Sequence, residues 1–77
     1  MMNKTELKSR LIAEGIPSDM YYLQGGFPNE AYCLNDAGNF WEVYYSERGL
    51  KSGLKNLYNE EDACNYLYEL IIKAQKK

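Results

Sequence analysis

One stretch of the sequence, residues 44–49 (YYSERG), concentrates side chains that make strong contacts. Arginine offers carboxylates a planar fork of donors and tyrosine supplies rigid contact area, a composition typical of protein interface hot spots. The competing interpretation is internal, with Arg48 paired to Glu47 or Asp62 so that the loop is fixed against a helix. Both interpretations stay open at this point. The residues predicted to contact a partner are Glu42, Tyr44, Tyr45, Glu47 and Arg48.

Catalytic chemistry has little support in the sequence. The chain contains no histidine, which excludes Ser-His-Asp and Cys-His catalysis and imidazole metal sites. Cys64 falls near the start of a predicted helix, but no basic cluster is predicted beside it, so a buried structural cysteine is favoured. The carboxylates at 60–62 point in different directions on a helix and do not form a calcium loop. The sequence therefore predicts no enzyme, no cofactor and no metal site.

The composition predicts one small domain, residues 1–77. Its 45% hydrophobic and 26% charged residues are ordinary for a globular protein and favour neither disorder nor a fibrous architecture. A net charge of −2 with scattered basic residues argues against a nucleic-acid partner. The apolar runs are shorter than the ~20 residues of a membrane span, and two cysteines are too few for a disulfide-stapled secreted domain. We expect a cytoplasmic protein with free thiols and no membrane contact.

The first third of the chain predicts a helix and a weak strand. Asn3 or Thr5 can cap a helix that runs to about Glu14, and Gly15 supplies its stop. A weak strand over residues 20–23 then leads to two glycines. These glycines lack the following Lys or Ser/Thr of a phosphate cradle, so a hairpin or wide turn through residues 25–29 is predicted instead.

The clearest local signal is a hairpin between residues 30–34 and 40–45. Its connection, NDAGN, fits a three-residue loop with Gly38 in the left-handed conformation, and a four-residue loop is the alternative. Trp41 and Val43 are placed in the core by either loop. With the shorter loop, Ala31 and Cys33 share the face of Trp41 and Val43. With the longer loop, Tyr32 and Leu34 share it instead.

The last segments are a third sheet strand and a helix. Residues 49–53 read as a glycine-bracketed turn, followed by a strand over 54–58 that is short, bulged or at an edge, because its leucines break strict alternation. Asn59 caps a helix with acidic residues in its first turn, and Tyr58 can pack onto Ala63. The predicted buried stripe of this helix is Ala63, Leu67, Leu70, Ile71 and Ala74.

Together these elements predict an α+β domain. A three- to four-stranded antiparallel meander is flanked by an N-terminal and a C-terminal helix, in the order α-β-β-β-(β)-α. Two helices on one face make two layers, and the second face of the sheet is left open to water or to a partner.

A resemblance sharpens the functional expectation. Residues 41–49 (WEVYYSERG), residues 59–64 (NEEDAC) with the helix after them, and residues 25–34 (GGFPNEAYCL) resemble small immunity proteins of bacterial polymorphic toxin systems. The likeness covers about two-thirds of the chain and implies a cytoplasmic protein that binds a toxin domain one-to-one and occludes its active site. The positions it carries over are Trp41, Glu42, Tyr45, Glu47, Arg48 and Cys64.

A second interpretation needs no toxin. A small interaction or regulatory domain could form a homodimer through the open sheet face or through an edge strand.

Overall fold

A computed structural model describes residues 2–26 and 28–75, and confirms the α+β prediction. The chain forms a helix, four strands and a second helix, with a single 3₁₀ turn at Ser18–Met20 before the first strand. The elements are α1 (Lys4–Ala13), β1 (Tyr21–Tyr22), β2 (Ala31–Asp36), β3 (Trp41–Glu47), β4 (Leu50–Leu57) and α2 (Glu60–Gln75).

Helix α1 has the ends that its sequence predicts. The Asn3 side chain accepts a hydrogen bond from the Glu6 N–H at 2.8 Å, which makes Asn3 the cap. At the other end Gly15 has a φ of +76° and its N–H donates to the Ile12 carbonyl, while the Ile16 N–H donates to the Leu11 carbonyl. This pair of bonds satisfies the last carbonyls of the helix and turns the chain toward the sheet.

The sheet has the order β1-β2-β3-β4 and is antiparallel except at β1. Strands β2, β3 and β4 form the predicted meander, but β1 pairs with β2 in parallel, with Tyr21 opposite Tyr32. A hairpin through the two glycines is therefore wrong, and the chain makes the wide turn that was its alternative. Phe27, within that turn, lies outside the described residues. The Gly25 N–H donates to the Leu34 carbonyl at 2.9 Å and holds the turn against β2.

The hairpin between β2 and β3 uses the longer of the two predicted loops. Leu34 lies opposite Val43 and Tyr32 opposite Tyr45, with residues 37–40 between the paired strand ends. The Ala37 N–H donates to the Phe40 carbonyl at 2.9 Å, inside that loop. Since one residue of loop length moves a strand's side chains to the opposite face, the three-residue alternative is wrong.

The hairpin between β3 and β4 turns earlier than predicted. Glu47 lies opposite Leu50, so the connection is only Arg48 and Gly49, with φ of +51° and +76°. Two consecutive positive φ angles are the type I′ arrangement of tight hairpins. The predicted turn over residues 49–53 is wrong, because those residues already belong mostly to β4.

Strand β4 confirms the expectation of a bulged edge strand. Its pairing with β3 shifts by one residue between Val43 and Tyr45, so that residues 53–54 lie opposite Tyr44 alone. The strand is last in the sheet order, and six of its eight residues are exposed.

The main core lies between the helices and one face of the sheet. This helix-covered face carries Leu34 and Val43, both fully buried, with Tyr32, Trp41, Tyr45 and Leu57 partly buried beside them. The helices contribute fully buried Leu7, Leu11, Ala63, Cys64, Leu67 and Ile71.

Helix α2 matches its predicted stripe in three of five positions. Leu70 and Ala74 are only partly buried, and Cys64 takes a core position in their place. The Asn59 side chain accepts a hydrogen bond from the Asp62 N–H at 2.8 Å and donates to the Asp62 carboxylate at 3.0 Å, which confirms Asn59 as the cap. Tyr58 is 80% exposed, so its predicted packing onto Ala63 is wrong.

Candidate protein-binding surface

The five residues predicted to contact a partner lie on different sides of the sheet. Side chains alternate along a strand, so Tyr45 and Glu47 project on the helix-covered side whereas Glu42 and Tyr44 project on the opposite side. That second face carries Ala31, Cys33, Glu42, Tyr44 and Ser46. Arg48 lies in the turn between β3 and β4. The structure therefore brings together Tyr45, Glu47 and Arg48 but not all five residues.

Tyr44 is an internal residue of the second face. Its side chain is 1% exposed, and its hydroxyl donates to the Gly26 carbonyl at 2.8 Å. The Lys51 ammonium lies 4.8 Å from the centre of its ring, within the distance of a cation–π contact. Burial raises the pKa of Tyr44 to about 12. Tyr44 thus fixes the turn after β1 onto the sheet and offers a partner almost no surface.

Glu42 belongs to the same internal network. One of its carboxylate oxygens accepts hydrogen bonds from the Asn35 amide at 2.9 Å and from the Lys51 ammonium at 3.1 Å. The hydrogen bond from Asn35, followed by that from Lys51, lowers the pKa of Glu42. A Cβ at Gly25 would collide with the Asn35 side chain, so the turn packs closely on this network.

The second face is consequently not open along its whole width. Over β2 and β3 the side chains of Ala31, Cys33 and Ser46 are fully buried. The Ser46 hydroxyl has no hydrogen-bond partner there. The prediction of an open second face is correct only at β4, where Leu54 is 48% exposed.

Both thiols are buried and free, as predicted. Burial raises the pKa of Cys64 to about 11, and burial also raises the pKa of Cys33. A thiol with a raised pKa is a poor nucleophile because its thiolate is scarce. Both cysteines therefore act as packing residues, one on each side of the sheet.

The tip of the β3–β4 hairpin is exposed and charged. The Tyr45 ring packs on the Tyr32 ring, with centroids 4.9 Å apart, and burial followed by the charges of Glu30 and Glu47 raises the pKa of Tyr45. Arg48 is exposed and, among residues 2–26 and 28–75, has no carboxylate in ion-pair range. The internal pairing of Arg48 with Glu47 or Asp62 is therefore wrong.

The free edge of β4 adds residues that the sequence did not indicate. Leu50 is 67% exposed and Leu54 48% exposed, and both lie along this edge. Recognition of a two-residue loop at Arg48 and Gly49 would have predicted that β4 begins at Leu50 and includes Leu54. Arg-Gly, however, is not one of the dipeptides typical of such loops. We define the hairpin surface as Tyr45, Glu47, Arg48 and Leu50, which lie on the helix-covered side or in the turn, together with Leu54, which projects on the second face at the same edge.

The edge also offers backbone groups and positive charge. An edge strand directs alternate N–H and C=O groups away from its neighbour, where they lack sheet partners. Strand β4 contains Lys51 and Lys55 and no carboxylate. An added strand with acidic and apolar side chains would meet both of these features.

Two open depressions flank the start of α1. The first has a volume of about 410 Å³ and is lined on the α1 side by Lys4, Thr5 and Lys8. The second has a volume of about 530 Å³, and its lining residues include Glu60 and Glu61. Within the described part of the chain, no three His, Cys, Asp or Glu side chains are grouped to hold a metal ion. No helix among residues 2–26 and 28–75 is long and apolar enough to cross a membrane.

Comparison with protein-family models, with curated proteins and with solved structures finds no match to this chain. The resemblance to immunity proteins therefore stays a prediction.

Proposed function

We propose that this chain is a non-catalytic binding protein that contacts a protein partner through the hairpin surface and the free edge of β4. The observation that carries the proposal is the edge itself. Eight residues of extended backbone end the sheet, and Leu50 and Leu54 are exposed along them. Exposed apolar side chains on a strand whose outer edge is unpaired favour the addition of a strand from another chain.

The chemistry of the edge selects the kind of partner. With exposed Lys55 on β4 and Arg48 at its tip, the surface favours a partner segment that carries carboxylates, whereas the charge of Lys51 is already paired with Glu42. Arg48 can hold a carboxylate by two parallel hydrogen bonds. Strand addition would supply affinity through the backbone, and the leucines and Arg48 would supply specificity.

The predicted contact residues take two roles in this proposal. Tyr45, Glu47 and Arg48 contact the partner directly, because they are at least partly exposed at the hairpin tip. Glu42 and Tyr44 position the strand behind that surface through their bonds to Asn35, Lys51 and the turn after β1. Substituting these two would weaken binding only by loosening the fold.

The finer proposal follows the resemblance. The partner is a bacterial toxin domain, and the chain is its cytoplasmic immunity protein, bound one-to-one over the toxin's active site. Support comes from the likeness of residues 41–49, which include most of the hairpin tip. A toxin domain that presents an acidic segment at one of its own strands would suit the edge of β4.

Co-expression with the toxin encoded beside this chain tests that proposal. Rescue of growth and a complex that co-elutes in size exclusion are expected. Variants Arg48→Ala and Leu54→Asp should lose both, while Lys73→Ala, on the last turn of α2, should retain both. If the unaltered chain gives no rescue of growth and forms no complex with the toxin, the toxin proposal is rejected.

The same edge favours a second candidate, a homodimer through β4 of two copies. Antiparallel pairing of two such strands would bring together two copies of the exposed Lys55 without a carboxylate on either strand, while each Lys51 is already paired with Glu42. Like charges on neighbouring strands are destabilising, so we rank the homodimer second. Light scattering on the isolated chain separates the candidates, because a tight dimer would favour self-association and a monomer the heterologous partner.

A further inference from the structure

A basic groove lies on the other side of the molecule from the hairpin surface. Helix α1 forms one wall with Lys4, Thr5 and Lys8, and the chain around β1 forms the other with Ser18, Tyr22 and Gln24. None of the lining residues is acidic, although the chain contains 11 Asp and Glu residues. The groove is therefore a local concentration of hydrogen-bond donors and positive charge in an acidic protein.

The spacing of the two lysines suits a single anion. Residues four apart on a helix lie on the same face, about 6 Å apart, so the Lys4 and Lys8 ammonium groups can converge on one ligand. Thr5 and Ser18, which also line the groove, carry hydroxyl groups that can donate to an anion. The Lys4 backbone N–H is not available, because it already donates to the Glu60 carboxylate at 2.9 Å. Binding would therefore depend on side chains.

We propose that the basic groove binds a small ligand that carries a phosphate or carboxylate group beside an aromatic or apolar body. Its volume of about 410 Å³ falls in the range of small-molecule sites. Leu23 also lines the groove, is partly buried against the helix-side core, and offers an apolar surface to the ligand body. This site is separate from the hairpin surface and does not depend on the proposed function.

The depression across the start of α1 provides an internal control. It is lined by Met2, Asn3 and Asn59 together with Glu60 and Glu61, and so has no basic side chain. An anion attracted only by shape would enter either depression. An anion held by the chemistry of the groove would enter the one with the two lysines.

Titration followed by ¹H–¹⁵N NMR tests the proposal on the intact chain. The probes are inorganic phosphate, phenyl phosphate and benzoate at low ionic strength. We expect saturable shifts at Lys8, Tyr22 and Gln24 with no change at Arg48 or Glu61. Phenyl phosphate should bind about threefold or more tightly than inorganic phosphate, because its ring buries apolar surface against Leu23. Comparison of phenyl phosphate with benzoate distinguishes the two anionic groups, and added salt should weaken both.

Matched lysine variants distinguish a specific anion site from non-specific attraction of the anion to any lysine. Lys8→Gln should weaken phenyl phosphate binding about three- to fivefold, the size of one exposed ion pair. Lys73→Gln makes the same charge change on α2 and should leave the affinity unchanged. Absence of saturable shifts, equal losses in the two variants, or shifts spread over all lysines would overturn the site. Equal affinity for phenyl phosphate and inorganic phosphate would overturn the role of the ligand body.

Discussion

The two edges of the sheet differ in length, cover and side chains. Strand β1 exposes an edge of two residues, and the wall of α1 faces it across the basic groove. Strand β4 exposes eight residues, with Leu50 and Leu54 among its exposed side chains. Short, flanked edges give a second strand little to pair with, whereas long edges are the usual sites of strand addition. This difference supports the proposals that β4 contacts a macromolecular partner and that the groove beside β1 binds a small ligand.

Strand β4 also carries two features that restrict its pairing. Lysines and a bulge are common devices by which proteins keep edge strands from unselective association. The exposed Lys55 disfavours another basic strand, and the bulge at residues 53–54 interrupts a regular ladder. We infer that the edge is selective for an acidic segment of suitable shape.

The largest predicted effect is the loss of folding stability when a tyrosine near either sheet edge is truncated. Tyr44→Ala removes a fully buried ring opposite the bulge of β4 and should lower the free energy of unfolding by about 3–5 kcal/mol. Tyr22→Ala, at the β1 edge and 49% exposed, should cost about 1 kcal/mol or less. Urea denaturation measures both.

Since Tyr44→Ala removes about as much free energy as a domain of this size possesses, Tyr44→Phe provides a milder version. It deletes the hydroxyl, with its hydrogen bond to the Gly26 carbonyl, and should cost about 0.5–1.5 kcal/mol. Equal losses of unfolding free energy for Tyr44→Ala and Tyr22→Ala would contradict the difference in packing between the two edges.

The second prediction concerns partner affinity. Leu54→Asp places a charge on the exposed edge and should weaken partner binding about tenfold or more, with a change in stability of about 0.5 kcal/mol. Ile12→Asp is the matched control, because Ile12 is 60% exposed on α1. Calorimetric titration with the partner captured by the co-expression test measures both. A larger loss for Ile12→Asp would move the contact surface away from β4.

The third prediction is a pH dependence of stability that arises at Glu42. Its pKa is lowered by the hydrogen bond from Asn35 and by Lys51, so its ionised form stabilises the fold. A carboxyl with a lowered folded pKa contributes fully above its unfolded pKa, and this contribution is lost as the pH falls through the folded pKa. At neutral pH, Glu42→Gln should therefore cost about 1 kcal/mol.

The difference between wild type and Glu42→Gln should shrink below about pH 4. Denaturation at several pH values measures it, and Glu69→Gln on the exposed side of α2 is the control. A difference that stays constant down to low pH would contradict the role given to the Glu42 carboxylate.

The smallest predicted effect separates stability from binding at the hairpin tip. Arg48 has a φ of +51°, a conformation that costs a side-chain-bearing residue energy and costs glycine little. Arg48→Gly should raise the free energy of unfolding by about 0.5–1 kcal/mol while weakening partner binding. Arg48→Lys keeps the charge and the strain but loses the planar fork, so it should bind weakly without the gain in stability. Full binding by Arg48→Gly would remove Arg48 from the contact surface.

The sequence predicted the elements that local chemistry determines. Asn3, Gly15 and Asn59 define helix ends through bonds to neighbouring residues, so their roles are readable without the fold. The pairing of β1 was not predictable in this way, because its parallel partner lies about ten residues away and depends on the path of the intervening turn. The turn at Arg48 was missed because arginine is an unusual residue at a positive φ.

Only part of the candidate site followed from the sequence. Tyr44 and Tyr45 were predicted to contact a partner together, yet neighbours on a strand face opposite ways. The sequence could indicate that separation but not that the turn after β1 covers Tyr44. The exposure of Leu50 and Leu54 depends on the position of the hairpin turn and on β4 being the last strand, which are properties of the assembled sheet.

Hydrogen exchange of the chain, alone and with its captured partner, tests the central claim most directly. The outward amides of residues 50–57 should exchange quickly in the free chain, because an edge strand leaves them unpaired. Partner binding should slow their exchange and leave the amides around Tyr22 unchanged. Protection around β1 and α1, with β4 still exchanging as in the free chain, would contradict the account.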